Sequence, residues 1–466
     1  MTIDQMLSDA AESLHSYRDA IVGPDLDERV TRRRQASPTQ RNLAISLGAA
    51  AALALVIGLT ALLAPLGDDE APFVEEVAPT TVPVTSVTSP PENTTPPTPT
   101  TAAAVPAEPV PSITWTRMEL AATSAEAALD TIAAAEDGFL AGGFDGRDAA
   151  IWRSDDGSAW ERATITPAGE ESGDSSDGTF AEVVGFASLG ERTVAVGFEG
   201  TGAAGDMYFA GLDRWNSSAW LDASPVAVVW SSGDGAIWTR VPHDGAVFGG
   251  DDVVLRMWAV AASPDQFVAV GDAVWRSADG LTWERSPSPG GTLFSIIFDG
   301  TQFVAAGLDP SGREGMYRSI DGIEWVDMPV EQGDGWWRPA PLLDVANVGY
   351  AYLAVGQLGV WRAVDVSVEA EKIYQVDTNI GSYLSGIAVD GDLAVAVGEK
   401  NQGFVSTSSD GGQTWTKEKN QDVFGMRYLE DESGAIRDVA LVEGRIVAVG
   451  RVGFGAPAVW IGEWTD

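Results

Sequence analysis

The chain contains no cysteine and only two histidines, His15 and His243, in very different regions. Disulfides, thiolate metal sites and cysteine nucleophiles are therefore excluded. So are a multi-histidine metal centre and a histidine-based triad. Positive charge is scarce: 28 Lys and Arg face 68 Asp and Glu, a formal charge of −40. Lysine occurs only at 372, 400, 417 and 419. Nucleic acid is ruled out as a partner, because neutralising phosphates needs clustered Lys and Arg. An anionic lipid surface is disfavoured for the same reason. The acidic run 170–178 lacks the ligand spacing of a calcium loop and reads as a solvated loop. No metal and no cofactor is expected. What the chain has in abundance is glycine (52) and tryptophan (17).

Three compartments precede the bulk of the chain. Residues 1–42 carry apolar side chains at Ile3, Met6, Leu7, Ala10, Leu14, Tyr17 and Ile21, the spacing of a short amphipathic helix. Arg29, Arg32, Arg33, Arg34 and Arg41 follow. Residues 43–66 are free of charge, and at ~1.5 Å per residue they cover roughly 36 Å, enough to cross a bilayer. Too many residues precede them for a signal peptide, so they read as an uncleaved transmembrane anchor. Arginines before the span, and none after it until Arg117, place the N-terminus in the cytoplasm and the rest outside. Ala54 and Gly58 form a small-xxx-small pair compatible with weak dimerisation through the span. Residues 67–112 hold eleven of the 25 prolines and no positive charge. Such a stretch tends to polyproline II and reads as a disordered stalk of up to roughly 140 Å at ~3.1 Å per residue.

From 113 to 466 the chain repeats itself. An apolar strand ending in Ala-x-Gly, or a close variant, closes at Gly143, Gly197, Gly271, Gly307, Gly356, Gly398 and Gly450. After most copies comes an aromatic strand, a Ser-x-Asp-Gly turn and a Trp. Ser154, Asp156, Gly157 and Trp160 form the first such box, and Ser232, Asp234, Gly235 and Trp238 the second. Ser277, Asp279, Gly280 and Trp283 form the third, then Ser319, Asp321, Gly322 and Trp325. Ser408, Asp410, Gly412 and Trp415 form the last. Ser and Asp side chains bind turn amides, and Gly accepts positive φ. Each unit thus reads as four strands, and seven units predict an all-β, seven-bladed β-propeller. The seventh unit lacks its last strand, while ITWTRMEL (113–120) is a last strand without a unit. The N-terminal strand is expected to complete the seventh blade.

These boxes resemble the Asp-box (BNR) repeat of sialidase-like propellers, and Ser408, Asp410, Gly412, Thr414 and Trp415 match its full form. The resemblance implies a structural box on the face away from the binding site. It spans sialidases, other glycoside hydrolases and non-catalytic receptors and assembly factors. The sialidase Arg-Ile-Pro or Arg-Leu-Pro motif is missing before the first box, where Arg117 is followed by Met118 and Glu119. Other arginines recur at one repeat position (Arg153, Arg276, Arg318, Arg362), as blade residues would. No catalytic residue is assigned. Short turns join first to second strands, so the long loops 164–180, 198–226, 241–252, 328–340 and 417–433 fall on the opposite face. Trp215, Trp220, Trp336 and Trp337 lie in those loops, outside the blade pattern, and His243 lies in the loop 241–252 beside Asp244. They are the expected ligand-binding residues. The leading expectation is a membrane-anchored, extracytoplasmic, non-catalytic module for a glycan or an envelope protein. A sialidase-like glycoside hydrolase is the alternative. Transmembrane signalling, with the cytoplasmic tail docking a partner, is the second.

Overall fold

The computed structural model describes residues 112–120, 124, 127–166, 179–201, 225–250, 253–332, 341–357, 359–375, 383–399, 403–418, 422–424, 434–452 and 456–465. The expected tail, transmembrane span and stalk lie outside these residues. Among the described residues, no helix is long and apolar enough to cross a membrane.

Among the described residues there are seven blades, six of four antiparallel strands and one of five. Their innermost strands are Ala127–Ala135, Thr179–Leu189, Met257–Ala262, Leu293–Phe298, Leu342–Asn347, Tyr383–Asp390 and Gly434–Val442. The second strand of each blade carries the Ala-x-Gly phrase, and its alanine has a steric purpose. Ala141 pairs with Trp152, Ala195 with Trp230, Ala269 with Trp275, Ala354 with Trp361 and Ala448 with Trp460. Every one of these alanines is fully buried beside an indole that is at most 2% exposed. A methyl group opposite each ring leaves room for a large aromatic without overpacking. The glycine of the phrase answers to a close approach. A Cβ on Gly197 would lie 1.8 Å from the Glu182 carbonyl oxygen, and one on Gly271 would lie 1.9 Å from that of Arg256. Only glycine lets the inner strand come this near.

Seven apolar clusters fill the seams between successive blades, each drawing residues from two of them. The core is therefore a ring of interfaces rather than one central mass.

The ring closes as expected. Ser112–Glu119 pairs antiparallel with Ala456–Thr465, from Ser112 opposite Thr465 to Glu119 opposite Ala458. The seventh blade is thus three C-terminal strands and one N-terminal strand. Ser112 enters at the end of the blade where the Ser-x-Asp-Gly turns lie in the others.

At those turns the serine hydroxyl accepts from the box glycine amide, at 2.8 Å in Ser154, Ser277 and Ser319, 2.9 Å in Ser232 and 3.0 Å in Ser408. One carboxylate oxygen accepts the two following amides, as Asp279 does from Leu281 and Thr282 at 2.8 and 2.7 Å. All five box glycines have φ between 68° and 79°. Trp160, Trp238 and Trp415 donate their indole N–H back to the box glycine carbonyl at 2.8–3.1 Å. Trp283 is buried, whereas Trp160, Trp325 and Trp415 are half-buried. The fifth blade lacks the box, and Asp365 caps its turn through the Ser367 amide and hydroxyl.

Part of the loop expected over 164–180 is a strand: Thr164–Thr166 lies parallel to Ile237–Arg240 as a fifth strand on the outer edge of the second blade. The reason is edge pairing, since that strand's N–H and C=O groups would otherwise face water. The loop over 241–252 contains one helical turn, Gly245–Phe248, capped by Asp244.

Candidate functional site

Every innermost strand carries a register shift at the same place. It falls between Leu129 and Thr131, Val183 and Gly185, Met257 and Ala259, Leu293 and Ser295, Leu342 and Asp344, Leu384 and Gly386, and Ile436 and Asp438. A bulge places two residues opposite one and re-aims their side chains. Here the seven bulges turn Asp130, Val184, Trp258, Phe294, Leu343, Ser385 and Arg437 toward the axis. Together with their neighbours they line a cavity of about 160 Å³.

The lining is lopsided. The bulged residues of the second to fifth blades are apolar: Val184, Trp258, Phe294 and Leu343. Behind them, aromatic rings form an arc. Phe144 meets Phe180 at 5.6 Å, Phe198 meets Trp258 at 5.2 Å, and Trp258 meets Phe294 at 5.7 Å. Arg256 lies 5.1 Å over the Trp258 ring and is held in a bidentate pair with Asp272 at 2.8 and 3.2 Å.

One residue further along, the fourth, fifth and seventh blades present the polar Ser295, Asp344 and Asp438 to the same cavity. Asp344 accepts from the Ser295 hydroxyl at 2.6 Å, from the Val345 amide at 2.8 Å and from the Ile387 amide at 2.8 Å. Asp438 accepts from the Val439 amide at 2.8 Å, the Ile132 amide at 2.9 Å and the Thr131 hydroxyl at 3.2 Å. Asp344 therefore ties the fourth, fifth and sixth blades, and Asp438 ties the seventh to the first. The Ser385 hydroxyl donates to the Ile436 carbonyl at 3.0 Å, linking the sixth and seventh. Burial pushes the Asp344 carboxyl up to about 6. Burial, and then the neighbouring Asp344 charge, push Asp438 up to about 7. Arg437 donates to the Tyr383 hydroxyl at 2.5 Å and lies 3.8 Å from Glu399, which also accepts from Tyr383 at 3.0 Å. Burial raises the Tyr383 phenol further above its ordinary value.

The residues expected to bind ligand are placed unevenly. Trp215, Trp220, Trp336 and Trp337 lie outside the described residues. His243 is exposed, 6.1 Å from the Phe248 ring, and does not line the axial cavity. Arg153 and Arg276 pair with Glu161 and Glu284 on the next strand of the same blade, at 3.1 and 2.5 Å. Trp258, which belongs neither to the repeat phrases nor to the long loops, lines the cavity. The axial residues escaped sequence reasoning, although one signal was present. Thr131, Gly185, Ala259, Ser295, Asp344, Gly386 and Asp438 form a column of small or acidic residues inside apolar strands.

No protein-family model matches the sequence, and no curated protein matches it. Among solved structures the chain is similar to YCF48 from Cyanidioschyzon merolae, at 14% identity and TM-score 0.47, over 75% of this chain and 98% of that one. It is similar to YCF48 bound to D1 peptide at 13% identity and TM-score 0.48, over 76% and 96% of the two chains. It is also similar to the extracellular domain of BT4673 from B. thetaiotaomicron, at 7% identity and TM-score 0.45, over 74% of this chain and 39% of that one.

Proposed function

We propose that the propeller is the extracytoplasmic binding module of a single-pass membrane protein, and that its long-loop face holds a glycan or an envelope protein without catalysing a reaction. The observation that carries this reading is the commitment of the axial carboxylates. Paired-carboxylate glycoside hydrolysis needs two carboxyl groups that reach the substrate across a gap of roughly 5–9.5 Å. Asp344 and Asp438 instead spend their oxygens on amides and hydroxyls of their own and neighbouring blades. They serve as seams of the ring, which supports binding over hydrolysis. The rigid blades also leave variation to the long loops, where binding residues ordinarily sit.

Two further features fit. The hydrogen bonding of the five Ser-x-Asp-Gly turns suits the Asp-box assignment and uses those polar groups locally. The first described strand begins on the box-turn side of the seventh blade, where Ser112 pairs with Thr465. Incubation with a panel of chromogenic glycosides should give no turnover, while a glycan array or a defined set of envelope proteins should yield binding. Replacing Trp336 and Trp337 with Ala should weaken that binding by roughly 2 kcal/mol or more. Turnover that survives purification would overturn the non-catalytic reading. For the topology, protease added to intact spheroplasts should remove the propeller and spare residues 1–42.

A further inference from the structure

The turns on the Ser-x-Asp-Gly face differ between blades in a way the fold does not require. Among the described residues eight large apolar side chains are exposed, and seven of them stand on this face of four successive blades. Ile237 is on the second blade, Leu281 on the third, and Ile320 and Val326 on the fourth. Tyr350, Val364 and Val368 are on the fifth. Ile320 is 75% exposed, so packing does not hold it there. The boxes of the first and sixth blades make the same turn with other residues. Ser158 and Gln413 take the place of Leu281, Asp155 and Ser409 that of Ile320, and Ala159 and Thr414 that of Ile237. The fold therefore has no need of the larger apolar tips, and an arc of them marks a contact surface. Each tip also sits beside a charge. Asp234, Asp279 and Asp321 each accept two turn amides through one oxygen: Ala236 and Ile237, Leu281 and Thr282, Ile323 and Glu324. In Asp234 and Asp321 the box serine donates to that oxygen as well, and the other oxygen has no hydrogen-bond partner among the described residues. The turn amides hold these carboxyls below the ordinary carboxylate range, so all three are charged at neutral pH. Nearby cations are already engaged: Arg192 with the Ser231 hydroxyl, Arg276 with Glu284, Arg318 with the Gln302 amide oxygen and Arg362 with the Gly411 carbonyl.

We propose that this face of the second to fifth blades is a docking surface for a protein segment that carries Lys or Arg among apolar side chains. The segment's apolar groups cover Ile237, Leu281 and Ile320, and its cations meet the outward oxygens of Asp234 and Asp321. A second copy of this chain does not suit the surface, because residues 113–466 hold 54 acidic against 22 basic residues and two copies repel. Anionic lipid is repelled by the same carboxylates. The surface lies opposite the long-loop face and is independent of the reading proposed there. The test places the full chain in phosphatidylcholine nanodiscs, with empty nanodiscs as reference. Three dye-labelled peptides of equal length are titrated in, built from Leu and Lys, Ser and Lys, or Leu and Glu. Fluorescence anisotropy should show the Leu/Lys peptide binding at least about tenfold tighter than either of the others. Added sodium chloride should weaken that binding. Ile237→Ser, Leu281→Ser and Ile320→Ser together should weaken it at least about tenfold and leave the melting temperature unchanged, since all three side chains are exposed. Ile320→Ser alone, which copies Ser409 of the sixth blade, should produce part of the loss. Equal binding of the Ser/Lys peptide overturns the proposal, because net charge would then suffice. Equal binding of the Leu/Glu peptide overturns it as well, because the carboxylates would then select nothing. Leu/Lys binding that ignores these substitutions puts the contact elsewhere and also overturns it. So does binding of phosphatidylcholine or phosphatidylglycerol vesicles that the triple variant loses, which would make the face a lipid contact.

Discussion

At Trp283 the indole is 6% exposed and lies 6.3 Å from the Phe267 ring, in the seam between the second and third blades. Trp283→Ala should cost about 3–5 kcal/mol of stability, because the blades cannot collapse around so large a gap. Chemical denaturation reads that loss, and ligand binding on the opposite face should survive in the folded fraction. A Trp336/Trp337 double variant that unfolds like Trp283→Ala would instead make those residues core. The box aspartates behave oppositely to the axial pair. The Ser158 hydroxyl, then the Ser158 and Ala159 amides, hold Asp156 down to about 2, and turn amides likewise lower Asp234, Asp279 and Asp321. Their unfolded forms bind protons first as pH falls. Their contribution is therefore complete above the ordinary carboxylate range and is lost as pH drops toward about 2. Asp344 and Asp438 bind protons first in the folded state, so their contribution declines as pH rises from the ordinary range through about 6 and about 7. Melting temperature against pH should therefore show an acid limb that moves in Asp321→Ala and an upper limb that moves in Asp438→Asn.

At the scale of the strand, Ser112–Glu119 is the most exacting element. Its eight residues close the seventh blade, and Ile113 and Trp115 pack with Phe424, Ile436 and Trp460. Deleting 112–119 should lower the melting temperature sharply and promote self-association, because the edge of Ala456–Thr465 is left unpaired. A truncated chain that melts with the full one would refute the closure. This strand was legible in the sequence, since Trp115-Thr116-Arg117 resembles Trp160-Glu161-Arg162 after the first box and Trp283-Glu284-Arg285 after the third. The blades were legible too: a recurring Ala-x-Gly has few explanations other than a small residue beneath an indole and a glycine under a carbonyl. The bulges were not. A bulge breaks the alternation by which strands are recognised, and Asp344 and Asp438 look like any other acidic residues in a chain with 68 of them. Thr164–Thr166 was missed for another reason: three residues have no period, and what makes them a strand is the neighbouring blade.

At the scale of the whole molecule, charge decides more than contact. Residues 113–466 contain 54 acidic and 22 basic residues, a net charge of −32. Ion pairs such as Arg153–Glu161 are exposed and each contributes little, while the unpaired excess repels itself throughout the ring. Raising salt shortens the screening length from about 30 Å at 0.01 M to about 3 Å at 1 M. Repulsion should therefore fade faster than the ion pairs are missed, and the melting temperature should rise with sodium chloride. A fall would mean that the ion pairs outweigh the excess.

The mixed seventh blade also defines a load path. Tension applied at Ser112, with the molecule gripped on its far face, runs along the strand rather than across it. The hydrogen bonds between Ser112–Glu119 and Ala456–Thr465 then share the force in shear instead of opening one after another. The two ends of the described chain thereby act as a buckle, tightest along the direction in which a tether at Ser112 would pull.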